Sequence, residues 1–313
     1  MHVTEHLARA TRPLFSFEII PPPRGKSVQD ITRIVEQVLP HEPPFIDVTS
    51  HPAEAFYEEL GNGNVRRRIR KKRPGTLSIC GIIKSHYGID SVPHLVCRGF
   101  TREETEDAMI ELAYLGIHNV LAIRGDEPNY KPVVSSNHSR NSFSSELVTQ
   151  LADLRGGRYL EDITNSEPMD VCIGVGGYPE KHLESPNRKS DVAYLKQKVD
   201  AGADYIVTQM FFDNADFYRF VKDCREADIT VPIIPGLKVL NRPRQLRSLP
   251  RDFHISLPEE LVDEVMDSPR HAGKIGVRWG RQQVADLLDH GVQCIHFYVM
   301  SDASSVLEAI QDL

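Results

Sequence analysis

Eight short runs of apolar, mostly β-branched residues recur along the 313-residue chain, and their regular spacing limits the folds open to it. Most runs are nearly continuously apolar rather than alternating, which is typical of strands covered on both faces. Helical patterns lie between them, and this alternation predicts the α/β class with a single (β/α)8 TIM barrel over residues 1–313. The predicted strands are residues 15–20, 45–49, 77–83, 120–123, 171–175, 205–208, 231–235 and 294–298.

A doubly wound α/β sheet is the competing fold, and the residues after the first strand argue against it. A sheet of that kind that binds a dinucleotide needs a glycine-rich turn at this point, whereas this chain has Pro21, Pro22 and Pro23. The GxGxxG pattern is absent, so we do not expect a dinucleotide held in the Rossmann manner. The predicted helices are residues 27–39, 101–115, 147–154, 191–201, 217–227 and 284–290.

Three polar stretches are predicted to be connections between elements. Residues 127–143 and 156–169 are longer than ordinary connections, so we expect active-site or lid loops there. Residues 66–73 are rich in arginine and lysine and precede the third predicted strand. We expect a solvated connection at the amino-terminal face of the barrel, and the alternative is a phosphate site or an acidic partner.

The composition excludes several classes of protein. Hydrophobic residues make up 40% and charged residues 26%, as in soluble globular proteins, and the net charge of −7 argues against a nucleic-acid partner. The chain has no apolar stretch long enough for a membrane span, and its first residues lack the apolar core of a signal peptide, so we expect neither. Five widely spaced cysteines without a CxxC pair predict a reducing, cytoplasmic location and no metal site.

Polar side chains stand at the carboxyl ends of the predicted strands, where barrel enzymes carry their catalytic groups. Glu18 lies inside the first apolar run, where burial would raise its pKa and suit it to act as a general acid. The alternative for Glu18 is a structural ion pair. The other residues decide no function singly, because a lone histidine at a strand end is more often part of the core. They are Asp47, Thr49, Arg124, Asp126, Tyr178, His182, Gln209, His296 and Tyr298.

Nine short motifs occur in a fixed order from about residue 14 to residue 300. They lie at residues 17–22, 46–49, 93–97, 122–128, 177–182, 195–203, 208–213, 234–236 and 296–298. Each motif is weak alone, but nine in this order at barrel spacing are specific. With them the chain resembles the methylenetetrahydrofolate reductase family, and its length is similar to the bacterial form that consists of the catalytic barrel alone.

The resemblance implies a barrel domain that binds FAD and reduces 5,10-methylenetetrahydrofolate to 5-methyltetrahydrofolate. NADH or NADPH would pass a hydride to the flavin and leave before the folate receives it, in a ping-pong sequence that serves one-carbon metabolism and methionine synthesis. The implied partners are small-molecule folate and nicotinamide substrates, and the implied assembly is a homo-oligomer without a metal. Another flavin-dependent barrel oxidoreductase and a non-catalytic partner subunit are the alternatives.

The resemblance also implies roles for individual residues. Glu18 matches the general acid that protonates N10 of the folate, and Asp126 matches a carboxylate that stabilises the resulting cation. The implied folate contacts are Glu18, Gln209, Gln245 and Tyr298. The implied FAD contacts are Thr49, His94, Arg124, Gly125 and Asp126 at the isoalloxazine and its linker, and Tyr178, His182, Asp191 and Lys198 at the adenosine and diphosphate end.

The chain departs from the family pattern at two places. Leu249 stands where the family has a phenylalanine that stacks on the substrate or the nicotinamide, so we expect a weaker or different nicotinamide contact. Ser301 and Asp302 replace an Asn-Arg pair, so we expect the anionic glutamate tail of folate to be held by other residues. The candidates are Lys238, Arg242 and Arg244.

Overall fold

The barrel predicted from the eight apolar runs is present in the computed structural model, which describes residues 1–71, 73, 75–125 and 139–311. The strands of the described residues are β1 (Leu14–Ile19), β2 (Phe45–Val48), β3 (Glu54–Glu59), β4 (Val65–Arg70), β5 (Asp90–Val96), β6 (Asn119–Ile123), β7 (Cys172–Gly177), β8 (Tyr205–Thr208), β9 (Ile233–Ile234), β10 (Gly236–Leu237) and β11 (Cys294–Met300). Nine of them form one sheet of parallel strands in the order β10-β11-β1-β2-β5-β6-β7-β8-β9. The predicted fold class is therefore confirmed, whereas the assignment of residues 1–313 to one FAD-binding catalytic domain stays a prediction.

Two short segments occupy the seventh position of the barrel and close it. β9 pairs with β8, and β10 pairs with β11. Pro235 separates the two segments, because proline has no N–H to donate to a strand ladder. Its carbonyl accepts a hydrogen bond of 2.9 Å from the backbone N–H of His296, so this position still joins the last strand.

Helices alternate with the strands, and all six predicted helices are confirmed with different ends. Among the described residues they are α1 (Val3–Ala8), α2 (Gln29–Val38), α3 (Thr76–Tyr87), α4 (Arg102–Tyr114), α5 (Ser144–Arg155), α6 (Arg188–Asp200), α7 (Asn214–Glu226), α8 (Gln245–Phe253), α9 (Glu259–Asp267), α10 (Ala272–Asp289) and α11 (Ser304–Ile310). None of the helices in the described ranges has the length and apolar character needed to cross a membrane.

The predicted strand at residues 77–83 is wrong, because this segment lies in helix α3. Its apolar residues Ile79, Cys80 and Ile83 form the buried face of that helix. A short apolar run cannot be distinguished from a buried helix by its pattern alone. The third strand of the barrel is instead β5, which is buried along its whole length although it contains Asp90, Ser91 and His94.

The basic run at residues 66–73 also lies elsewhere than predicted. Most of it forms β4, which pairs antiparallel with β3 in a hairpin that follows the carboxyl end of β2. The run is solvated as expected, since every residue of β4 is exposed, and Arg68 pairs with Glu58 at 3.0 Å. However, the Arg73 side chain donates a hydrogen bond to the Pro21 carbonyl beyond β1. The hairpin therefore belongs to the carboxyl-terminal face of the barrel rather than to the amino-terminal face.

The two predicted active-site loops have different outcomes. Residues 156–169 connect α5 to β7 and so lie at the amino-terminal face of the barrel, away from the catalytic end. That prediction is wrong because the stretch follows a helix and not a strand. Of residues 127–143, only 139–143 belong to the described residues.

Apolar side chains fill both the shell between helices and strands and the amino-terminal part of the barrel interior. Val3 and Leu7 of α1 pack there with Phe45, Val92 and Tyr205. All five cysteines are buried and free of disulfides. Since this interior layer is apolar, polar groups concentrate toward the opposite end of the strands.

Candidate active site

Glu18, Asp47 and His94 form a buried trio at the carboxyl-terminal half of the barrel interior. They come from the consecutive sheet strands β1, β2 and β5, and Glu18 and Asp47 are register partners. The Nε2 atom of His94 lies 3.5 Å from Glu18 Oε2 and 3.4 Å from Asp47 Oδ2. The exposed fraction is 9% for Glu18, 4% for His94 and 0% for Asp47.

Burial sets the protonation of this trio. Desolvation raises the pKa of Glu18 to about 7, and Asp47 adds to the rise while His94 and Lys238 oppose it. Desolvation likewise raises the pKa of Asp47 to about 7, opposed by the charge of His296. Burial lowers the pKa of His94, so its imidazole is neutral at neutral pH. A carboxyl that titrates near neutral pH is suited to donate a proton there.

His296 of β11 lies deeper in the barrel and completes the polar interior. It is fully buried, and its Nδ1 atom lies 2.9 Å from the hydroxyl of Ser16, which is fully buried as well. Among the described residues, Nε2 of His296 and both carboxylate oxygens of Asp47 are buried without a hydrogen-bond partner. Buried polar atoms without partners are rare in folded proteins and often mark functional sites.

Tyr298 and Lys238 form the wall of the barrel next to Glu18. The hydroxyl of Tyr298 donates a hydrogen bond of 2.5 Å to the carbonyl of Thr208, and the Lys238 ammonium donates one of 2.6 Å to the carbonyl of Tyr298. Burial lowers the pKa of Lys238 to about 8, although Glu18 and Asp302 oppose this. A Cβ atom on Gly236 would lie 2.2 Å from the Thr208 carbonyl oxygen, so only glycine fits beside this wall.

A second polar group lies around the carboxyl ends of β6 and β7. The rings of Tyr178 and His182 meet edge to face, with their centroids 4.6 Å apart. Burial lowers the pKa of His182, the charge of Asp191 opposes this, and the charges of Arg124 and Lys198 add to it. Lys198 donates a hydrogen bond of 2.6 Å to the Gly176 carbonyl. Burial lowers the pKa of Lys198 to about 8, opposed by Asp191. The structure therefore brings these five predicted cofactor residues together.

Comparison with known proteins identifies the family. Residues 3–313 match the sequence model of the family described as Methylenetetrahydrofolate reductase. The chain belongs to this family. The resemblance inferred from the nine motifs is thereby confirmed.

Two relatives within the methylenetetrahydrofolate reductase family differ in how much of them this chain covers. The chain is 28% identical over 328 residues to the probable methylenetetrahydrofolate reductase (NADH) of Oryza sativa subsp. japonica, and the match covers 100% of this chain and 50% of that protein. It is 29% identical over 293 residues to the 5,10-methylenetetrahydrofolate reductase of Escherichia coli (strain K12), covering 92% of this chain and 86% of that one. The chain thus spans about half the length of its plant relative.

A solved structure from Clostridium thermocellum shares the fold. It is described as an uncharacterized protein that binds two copies of 5-methyl-5,6,7,8-tetrahydrofolic acid. The TM-score is 0.57 at 12% identity, with 98% of this chain and 96% of the other covered. At this identity the likeness concerns the fold alone.

Three more residues assigned by the resemblance to methylenetetrahydrofolate reductase stand just after β2, β6 and β8, and a fourth is not among the described residues. Thr49 follows β2 directly, and its buried hydroxyl has no hydrogen-bond partner within the described residues. Gly125 follows β6 with a φ of +81°, a left-handed conformation that favours glycine. Gln209 follows β8, and its side-chain oxygen accepts a hydrogen bond from the backbone N–H of Met210. Asp126 lies outside the described residues.

Gln245 and the two departures from the family pattern lie in the segments that follow β10 and β11. The side-chain oxygen of Gln245 accepts backbone hydrogen bonds from Asn241 and Arg242 at 2.8 Å each, so it links the first residue of α8 to the turn that precedes the helix. Leu249 is buried in an apolar cluster that includes Met210. Asp302 accepts a hydrogen bond from the backbone N–H of Ser304, the first residue of α11. The folate contact assigned to Gln245 stays a prediction.

Asp47 and His296 stand at predicted strand ends, but the sequence motifs assign neither of them to the site. Asp47 carries the same signal as Glu18, since it is a carboxylate inside an apolar run. Glu184, the ion-pair partner of Arg124, carries no such signal because it lies in an irregular connection between β7 and α6. Within the described ranges, no three His, Cys, Asp or Glu side chains are grouped as metal ligands.

Proposed function

We propose that this chain catalyses the reduction of 5,10-methylenetetrahydrofolate to 5-methyltetrahydrofolate, with FAD as cofactor and NADH or NADPH as the electron donor. The observation that carries the proposal is Glu18, a buried carboxyl in a chain of this family that titrates near neutral pH at the catalytic end of the barrel. The names of the rice and E. coli relatives describe the same conversion.

The chemistry of this substrate requires an acid of this kind. The one-carbon unit of 5,10-methylenetetrahydrofolate bridges two nitrogens, N5 and N10, as an aminal. A proton delivered to N10 lets the C–N10 bond break, and the carbon remains double-bonded to N5 as a cation that can accept a hydride. Glu18 is the proposed donor of this proton, directly or through a water molecule. It returns to the protonated state easily because burial disfavours its anion.

The residues of the site fit a bound flavin. The hydroxyl of Thr49 is a buried polar atom without a hydrogen-bond partner among the described residues, so it can serve a ligand. Arg124, His182 and Lys198 bring basic side chains to the carboxyl ends of β6 and β7, as an anionic diphosphate requires. The proposed FAD contacts are Thr49, His94, Arg124, Gly125, Tyr178, His182, Asp191 and Lys198. Bound flavin would supply the hydride relay between nicotinamide and folate.

Other parts of the proposal rest on the family alone. Asp126 is assigned the electrostatic stabilisation of the folate cation, and Gln209, Gln245 and Tyr298 are assigned folate contacts. A homo-oligomer is likewise proposed from the family. A cytoplasmic location is proposed because all five cysteines are free thiols, as in proteins of a reducing compartment.

The experiment that tests the proposal separates the two half-reactions in a Glu18→Gln variant. Under anaerobic conditions, mixing with NADH or NADPH measures flavin reduction, and mixing reduced enzyme with 5,10-methylenetetrahydrofolate measures flavin reoxidation. We expect reoxidation to slow by about 10²–10⁴-fold, the usual contribution of a general acid. Flavin reduction should change little, because that step needs no proton on N10.

The outcomes distinguish the alternatives. Near-normal reoxidation by folate in Glu18→Gln would contradict the acid assignment. Wild-type protein that is reduced by a pyridine nucleotide but not reoxidised by the folate would be another flavin-dependent barrel oxidoreductase. Folded, colourless protein that ignores added FAD would contradict the cofactor assignment and favour a non-catalytic subunit.

A further inference from the structure

Two carboxylates share one imidazole nitrogen in the barrel interior. Glu18 and Asp47 both lie within 3.5 Å of Nε2 of His94, so their nearest oxygens are at most about 7 Å apart. In a site this dry, two negative charges at that distance repel each other strongly. One of the two carboxyls therefore holds a proton at pH values where free carboxyls would both be ionised.

The hydrogen-bonding capacity of His94 strengthens this conclusion. A neutral imidazole has one N–H, and Nε2 carries at most one hydrogen, so it can serve only one of the two carboxylates. Neither carboxylate oxygen of Asp47 nor this nitrogen has a hydrogen-bond partner in the described part of the chain, so a hydrogen on Nε2 is available to either carboxylate. Whichever carboxyl does not receive the N–H of His94 is stabilised by keeping its own proton.

The surroundings decide which carboxyl is the anion. Asp47 lies between two imidazoles, since His296 acts on it from β11 while His94 contacts it from β5. Glu18 is 9% exposed, whereas Asp47 is fully buried, and the cation that acts on Glu18 is Lys238, which follows β10. The charge of Glu18 also acts on Tyr298 of β11. Lys238 does not serve Glu18 alone, because the charge of Asp302 also acts on it. Its ammonium also donates a hydrogen bond to the Tyr298 carbonyl.

We propose that Asp47 is a positioning residue for the general acid: as the buried anion of the trio it takes the N–H of His94 and, by repelling a second negative charge, keeps the proton on Glu18 until the substrate receives it. This inference rests on the proposed role of Glu18. Asp47 is fully buried, and in this role it does not need to contact a bound ligand. The proton moves from Glu18 Oε to N10 of the folate, and Asp47 exchanges no proton with the substrate.

The test is the pH dependence of flavin reoxidation by 5,10-methylenetetrahydrofolate in an Asp47→Asn variant. Removing the neighbouring anion makes Glu18 easier to ionise, so the pH at which the rate falls by half should move about one unit lower. Well above this midpoint the variant should be about tenfold slower than wild type, with its low-pH plateau and its reduction by NADH retained. The same shift is expected for Asp47→Ser if the asparagine variant folds poorly.

Asp90→Asn is the matched control. Asp90 lies on β5 like His94 and is about as buried as Glu18, but it stands at the opposite end of the strand and pairs with Lys84 and His6. We expect no shift of the pH midpoint in this variant. An equal shift in Asp90→Asn and Asp47→Asn would overturn the proposal, because the effect would then be a general loss of barrel stability or charge.

An infrared readout keeps this inference separate from the proposed function. The carboxylic-acid band that disappears in Glu18→Gln reports the protonation of Glu18 without any turnover. Its pH midpoint should fall by about one unit in Asp47→Asn. An unmoved midpoint would refute the role of Asp47, even if folate reduction proves correct. A shifted midpoint in a protein that does not reduce folate would support the electrostatic link while refuting the proposed function.

Discussion

The buried carboxyl of Glu18 should reduce the stability of the folded protein at alkaline pH, and Glu18→Gln should relieve this. Ionising a group whose pKa is about 7 in the folded chain and 4.5 when unfolded costs roughly 3 kcal/mol once the pH is well above 7. The sign follows from proton binding: between these two values the folded state holds more protons, so its stability falls as the pH rises. The glutamine variant has nearly the same shape and no charge to bury.

Urea unfolding of wild type and Glu18→Gln, both without added ligands, measures the effect. At about pH 8.5 we expect the variant to be more stable by roughly 2–3 kcal/mol, and at about pH 5 by less than about 1 kcal/mol. Asp90→Asn is the control of opposite sign. Burial alone would raise the pKa of Asp90, but hydrogen bonds from His6, Lys84 and the amino terminus hold it well below its usual range. Asp90→Asn should therefore be less stable than wild type at both pH values.

The result that would refute this reasoning is a loss of stability in Glu18→Gln that is equal at the two pH values. Such a loss would mean that the Glu18 anion is fully stabilised by its neighbours in the folded protein. Burial would then not explain why Glu18 holds a proton near neutral pH.

Two further predictions concern β7 and the helix that follows it. Lys198→Met should weaken FAD binding by about 10- to 100-fold in a flavin-fluorescence titration, because a buried charge-assisted contact is lost. Lys196→Met removes an exposed ion pair with Asp200 and should leave the affinity unchanged. Equal affinities for the two variants would contradict the assignment of Lys198 to the FAD site. Gly174→Ala should lower the free energy of unfolding by about 1–3 kcal/mol, since its Cβ would lie 2.3 Å from the buried ring of Tyr205. A Cβ at Gly176 would meet open space, so Gly176→Ala should lower the free energy of unfolding much less. Similar thermal midpoints for both variants would show that the ring of Tyr205 moves aside.

The barrel was predictable because seven of its strands are short, nearly continuous apolar runs with helical patterns between them. β5 was missed since polar residues interrupt its apolar pattern: Asp90 begins it and His94 lies near its end. A strand that carries the site's own groups loses the apolar pattern that would reveal it. The basic residues of β4 were placed at the wrong face for a related reason, because their position depends on which strand precedes them, and the error in the third strand changed that order.

The site was predictable residue by residue but not as an arrangement. Glu18 could be identified from burial alone, because a carboxylate within an apolar run has few explanations. The contact between His94 and both carboxylates depends on the register of three strands that are far apart in sequence. Sequence patterns also do not predict the hydrogen bonds of Gln245 to the backbone just before α8, since these bonds depend on the path of the preceding turn.

Because all five thiols are buried, the native cysteines do not compete for thiol reagents. Burial raises the pKa of every cysteine, so none is a thiolate at neutral pH and none is open to a bulky reagent. A single cysteine introduced at Tyr57, an exposed position on the hairpin, would therefore be the site that maleimide dyes modify. A fluorophore or spin label placed there can report on the barrel mouth without removal of any native sulfur.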